Sequence, residues 1–160
     1  MQKTLAMRLL EGKGIEYEAV TYPSGERDAL VVARHLGVPA AQVFKTLVVV
    51  RERGKAFLAI VPADRQLDLK KMAKLVGEKK LQMASHQQAE KMTRLKVGGI
   101  SPLALINRGF DMVLDASAER FDAIYVSAGE KGINLRVPVE ALIALTSARM
   151  LDIATRQGDA

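Results

Sequence analysis

"VFKTLVVV", residues 43–50, is an apolar, β-branched run broken by one lysine and one threonine. Such a run predicts a buried or half-buried strand. Two-residue alternation sets Val43, Lys45, Leu47 and Val49 on one face, and Phe44, Thr46, Val48 and Val50 on the other. Both faces are mostly apolar, so a cation at position 45 meets dry neighbours whichever way it points. Its stem either snorkels to the rim of the sheet or the ammonium lines a pocket that needs positive charge. The charged turn RERG, residues 51–54, leads into a second apolar run at 55–62, and the pair reads as an antiparallel hairpin.

Working outward, short helices and strands flank this hairpin. Residues 3–11 predict a helix with Leu5, Leu9 and Leu10 inward, ended by Gly12 and Gly14. IEYEAVTY, residues 15–22, alternates as a first strand. DALVVARHLG, residues 28–37, predicts a helix with Asp28 as N-cap and Gly37 past its end. Downstream, DLKKMAKLVG (68–77) predicts a helix with Leu69, Met72, Ala73 and Val76 on one face. KKLQMA (79–84) allows a brief strand, and SHQQAEKMTR (85–94) opens on the capping box Ser85–Gln88. DMVLDAS, DAIYVSAG and GINLRVP are three β runs, the last two joined as a hairpin between Gly129 and Gly132. VEALIALT closes the series as a helix after Pro138. The expected fold is mixed α/β: a distorted, largely antiparallel sheet or barrel surrounded by short helices. It forms one domain over residues 1–155, with 156–160 as a disordered tail.

Composition narrows the chemistry. The 160 residues carry 24 Lys plus Arg against 18 Asp plus Glu, a net charge of +6 that favours polyanionic partners. With no cysteine, disulfides, thiolate metal sites and a cysteine nucleophile are excluded. His35 and His86 are too far apart for a metal motif, so neither metal nor cofactor is expected; both fit solvent-facing roles at helix ends. Three Tyr, four Phe and no Trp argue against broad recognition of single strands by base stacking. Any nucleic-acid contact should run through phosphates or one terminal nucleotide in a pocket. Lys70, Lys71, Lys74, Lys79 and Lys80 form a basic cluster that is either a solvated face or a phosphate-contacting surface. No apolar run reaches the roughly 18 residues of a membrane span, and the first residues lack a signal peptide's apolar stretch. A cytoplasmic location is expected.

A second unusual stretch is VGGISPLAL, residues 97–105. Paired glycines leave the backbone open to a ligand, and Pro102 stiffens the chain after Ser101. The amides of Gly99 and Ile100 are thus candidates to hold a polarised carbonyl oxygen.

Together QVFKTLVVV, PADRQLDLKKMAKLVGEKK, VGGISPL and IYVSAGEKG resemble, in order, the YbaK/EbsC family of freestanding editing domains. The likeness runs from about residue 3 to residue 153. Members include Cys-tRNA(Pro) deacylases and are related to the insertion domain of bacterial prolyl-tRNA synthetases. The resemblance implies that Lys45, beside Thr46, contacts the terminal adenosine and its phosphate, and that the Gly99 amide holds the substrate carbonyl. It places Ser127 and Tyr22 at the aminoacyl pocket, with Gly98, Ile100, Ser101 and Asn134 lining it. It also implies the tRNA acceptor end as partner, with prolyl-tRNA synthetase a further one. In cysteine-specific members the substrate's own thiol attacks its ester, which agrees with the missing nucleophile; attack by water agrees equally. Two positions depart from those members: Asp28 or Ala29 stands where they often carry an aromatic residue, and Asn134 where they commonly have Asp. Both lie at the aminoacyl end, so cysteine, alanine and serine specificities stay open, as does a non-catalytic module that binds tRNA or a synthetase.

Overall fold

The computed structural model describes residues 2–156. The central hairpin forms as its alternation dictates. β2 (Phe44–Arg51) and β3 (Phe57–Pro62) pair antiparallel from Phe44–Pro62 to Val49–Phe57. Every residue of β3 is buried, because the sheet is covered on both sides. One cover is α3 (Leu69–Val76), whose Met72 and Ala73 pack on Val49, Phe57, Ala59, Val61 and Val113. The other is the main core, where Phe44, Val48, Leu58 and Ile60 meet Leu10, Ile124, Leu135 and Leu142.

The strands fall into two sheets. β4 (Leu81–Met83), β5 (Asp111–Asp115) and β8 (Arg149–Leu151) complete a five-stranded sheet in the order β4-β2-β3-β5-β8. β1 (Glu18–Thr21), β6 (Ala123–Ser127) and β7 (Ile133–Pro138) form a three-stranded sheet in the order β1-β7-β6. The fold is therefore mixed α/β. The pairs β1–β7, β6–β7, β2–β3 and β2–β4 are antiparallel, while β3–β5 and β5–β8 are parallel. A bridge between Val43 and Tyr125 links the two sheets.

The helix boundaries follow their caps. α2 (Ala29–Leu36) begins where the Asp28 carboxylate accepts from the Leu30 N–H at 2.9 Å and ends at Gly37. α3 begins with Asp68 accepting from Lys71 N–H and ends at Gly77. α4 (His86–Thr93) opens on the Ser85–Gln88 capping box with both of its hydrogen bonds formed. α5 (Val139–Thr146) follows Pro138.

Some expectations need correction. α1 (Leu5–Gly12) starts at a Thr4 N-cap and turns Ala6, Met7 and Leu10 inward, leaving Leu5 65% exposed. β1 is shorter than expected; Ile15 and Tyr17 pack on the core from a segment outside it. β8 has no counterpart among the expected strands. It adds to β5 in parallel and is held by Asp115, whose carboxylate is 1% exposed. That carboxylate accepts from the N–H groups of Ile153 (3.0 Å), Ala154 (2.9 Å) and Ser117 (3.1 Å). Of the expected tail, 157–160 lie outside the described residues. Among the described residues no helix is long and apolar enough to cross a membrane.

Asp115→Ala strands the buried amides of Ile153 and Ala154. A loss of about 2–4 kcal/mol is expected, read as a lower urea midpoint with an unchanged slope, and Asp115→Asn, which keeps an acceptor, should lose less.

Candidate functional site

A gap in one sheet edge creates the site. β6 touches the outer edge of β2 at the Val43–Tyr125 bridge. β4 takes over only from Val49, with the Ala84 N–H closing onto the Val48 carbonyl at 3.0 Å. Between these two contacts the edge at residues 45–47 has no partner strand among the described residues. Antiparallel ladders point alternate residues toward and away from the neighbour. Since the Val48 carbonyl faces β4, the amide and carbonyl of Thr46 face the gap.

The cavity that fills this gap has a volume of about 140 Å³. One wall is β2 from Val43 to Leu47; opposite stand Ser127 at the end of β6 and Asn134 on β7, which pair across their hairpin. The segment before α2 and its first turns supply Tyr22, Arg27, Ala29 and Val32, while Val97, Gly98 and Ile100 close the remaining side. Of the residues expected at the site, Tyr22, Lys45, Thr46, Gly98, Ile100, Ser127 and Asn134 line this one space.

Lys45 is half-buried, and loss of water holds its pKa below the usual lysine value; the carboxylates of Asp28 and Asp64 oppose that shift. Neither acid forms an ion pair with it. Thr46 Oγ1 is buried with no hydrogen-bond partner among the described residues, an arrangement uncommon in native structures. Asn134 is 5% exposed, and its side-chain amide bonds to no other described residue. Ser127 is less available: its Oγ accepts from the Gly129 N–H at 3.1 Å. Tyr22 donates its hydroxyl to the Gly98 carbonyl at 3.4 Å; burial raises its pKa, the Gly132 N–H pulls it back, and Glu26 adds to the rise.

Two expected residues have other work. The Gly99 N–H, expected to hold a substrate carbonyl, donates to Lys96 O at 2.7 Å and closes a turn. What position 99 requires is small size, since a Cβ there would lie 2.9 Å from the Lys131 nitrogen. Ser101 is fully buried and lies outside the cavity lining; its Oγ accepts from the Ala104 N–H. Asp28 caps α2, so Ala29 rather than Asp28 faces the cavity. The turn stays in place through a residue the sequence did not mark. Glu90 on α4 accepts from the Val97 N–H at 2.8 Å, which lowers its pKa; burial opposes this, and Lys96, Arg27 and His86 add to the lowering. Gly98 follows at φ +93°, with the Arg27 side chain packed against it.

No histidine lines the cavity. Among the described residues no group of three or more His, Asp or Glu side chains is arranged to hold a metal ion. What the cavity offers is the half-buried Lys45 ammonium, the Arg27 guanidinium, the Asn134 carboxamide and strand-edge backbone groups. These can grip and polarise an ester of a small acyl group.

Comparison with known proteins points the same way. The family described as "Aminoacyl-tRNA editing domain" matches residues 24–145. Enterococcus faecalis EbsC, assigned as a Cys-tRNA(Pro)/Cys-tRNA(Cys) deacylase, is 35% identical over 158 residues, covering 98% of this chain and 96% of its own. The proline–tRNA ligase of Fervidobacterium nodosum is 28% identical over 150 residues, 93% of this chain but 25% of the ligase. A crystal structure described as a trans-editing enzyme for prolyl-tRNA synthetase superposes with a TM-score of 0.81 at 28% identity, covering 94% and 96% of the two chains.

Because burial depresses the folded-state pKa of Lys45, its charged form costs stability at neutral pH. That cost is lifted as pH rises from the folded value toward the ordinary 10.5. Lys45→Met should therefore raise the urea midpoint at pH 7, and the difference from the parent should shrink toward pH 10.5. Gly99→Ala drives a Cβ into the Lys131–Glu130 backbone; a destabilisation of about 1–3 kcal/mol is expected in the same assay.

Proposed function

The chain belongs to the family of aminoacyl-tRNA editing domains, and on that premise we propose that it is a trans-acting deacylase that frees cysteine misattached to tRNA(Pro). The observation that carries this reading is the half-buried Lys45, set beside an unpartnered Thr46 hydroxyl on an open strand edge. The terminal adenosine lies against Lys45, whose ammonium meets the neighbouring phosphate. The aminoacyl group enters the small space bounded by Ala29, Val32, Ser127 and Asn134.

With the Gly99 amide committed to Lys96, the ester carbonyl is held instead from the β2 edge, by the Thr46 N–H. Donors already fixed in place need no rearrangement as charge develops on that oxygen. No protein nucleophile is at hand: the chain has no cysteine, Ser127 Oγ is engaged by Gly129, and no histidine stands in the cavity to activate it. The cysteine thiol of the substrate supplies the attack. A C–S bond forms to the ester carbon, the bond from that carbon to the ribose oxygen breaks, and the thiol proton ends on the departing ribose hydroxyl. The products are a cyclic thiolactone and free tRNA. The protein contributes orientation and electrostatic stabilisation.

A second reading rests on Ala29 and Asn134, which stand where cysteine-specific relatives commonly carry other residues. On this reading Asn134 positions a water that cleaves an alanyl or seryl ester.

Rates measured side by side on cysteinyl-, alanyl- and seryl-tRNA(Pro) separate the two. The first reading expects fast cleavage of the cysteinyl ester alone, and equal cleavage of the alanyl ester excludes obligatory thiol attack. Lys45→Ala should lower kcat/KM at least tenfold, about 1.4 kcal/mol of transition-state stabilisation, with the fold intact. An unchanged rate removes Lys45 from the mechanism.

A further inference from the structure

A second basic feature lies on the same sheet face as Lys45. By alternation Lys45 shares its face of β2 with Leu47 and Val49, and on that face α3 is packed. Between α3 and the start of β4 runs a shallow groove of about 400 Å³, floored by Leu69, Ala73 and Leu81. Its rim carries Lys70, Lys74, Lys79 and Lys80, all exposed.

These four cations are not neutralised within the fold. Among the described residues none of them forms an ion pair with a carboxylate. The acid in the groove, Glu78, is turned to Arg51 at 3.8 Å. Lys71, the neighbour of Lys70, behaves differently: it is tied to Asp152 at 3.1 Å and to the Ala154 carbonyl, so its charge is spent within the fold. Lys70 and Lys74 are four residues apart on one helix, a like-charge spacing that weakens the helix slightly unless an anion lies between them.

The separation of the two features is informative. Leu81, just after Lys79 and Lys80, pairs with Arg51. Six residue steps along the strand lead from Lys45 to Arg51, about 20 Å at the rise of a β-strand. A few unpaired nucleotides span such a distance, and a duplex follows them in any tRNA acceptor arm. We propose that the lysine groove holds the acceptor-stem phosphates of the tRNA whose aminoacylated 3′ end occupies the cavity at Lys45. This rests on the deacylase reading and adds to it a second contact that reads charge rather than bases. The low aromatic content suits such a contact, and so does the absence of an aromatic side chain from the groove lining.

The test combines Lys70→Ala, Lys74→Ala, Lys79→Ala and Lys80→Ala in one variant. Its kcat and KM are measured on full aminoacyl-tRNA and on the aminoacylated CCA trinucleotide across a range of salt. For full tRNA, KM should rise about tenfold or more with kcat unchanged, and the log–log salt slope should flatten by about 0.9 for each phosphate no longer neutralised. Kinetics on the trinucleotide, which carries no acceptor-stem phosphates, should match the parent. An unchanged KM and salt slope on full tRNA overturns the proposal, and so does an equal loss on the trinucleotide, which would mean that the cavity itself is disturbed. Failure of the deacylase reading is visible separately, as a parent protein that cleaves neither substrate. In that event the affinity for uncharged tRNA decides: a weakened variant supports the groove, and an unaltered one overturns it.

Discussion

Three residues of unpaired strand edge underlie the site. β6 meets β2 at one bridge and β4 meets it from Val48 onward, so the ladder is complete on either side and missing between. A central strand would spend the Thr46 amide and carbonyl on a neighbour. Here those groups are left facing a cavity whose far wall comes from the other sheet. The divergence of two sheets joined at Val43–Tyr125 thus does two things at once: it opens the space, and it leaves fixed backbone groups pointing into it.

The electrostatics of Lys45 follow from that placement. A cation on a mostly apolar strand loses water, and Asp28 and Asp64 compensate only from a distance. The penalty is borne by the folded protein. Thr46 Oγ1 is in a similar position, a buried hydroxyl that lacks a hydrogen-bond partner among the described residues. Two costs to folding meet at adjacent residues, and the fully buried β3 lies behind them.

Much of this was legible in the sequence, and the parts that were not share a cause. Caps carry local, directional information, so α2, α3 and α4 could be placed from Asp28 and Gly37, Asp68 and Gly77, and Ser85 with Gln88. The β2–β3 hairpin is likewise a local pairing. The parallel joins of β5 to β3 and β8 are not, because a short apolar run does not record which distant strand it will meet. The same division runs through the site. Lys45 stood out as a cation among hydrophobes, and the Gly98–Gly99 pair as an open backbone. Which amide of that loop remains free depends on how the turn closes, and closure onto Lys96 spends that of Gly99. Glu90 holds the loop through one backbone contact seven residues away, for which no spacing rule exists.

The interrupted ladder also bears on self-association. Exposed strand edges recruit strands from other molecules, and an edge long enough to register several hydrogen bonds invites aggregation. Here the vacant stretch is too short to seat a foreign strand, is closed at both ends by the protein's own strands, and carries an ammonium that an incoming apolar segment would have to bury. Lys45, a cation on that open edge, thus works against pairing of the chain with its own copies.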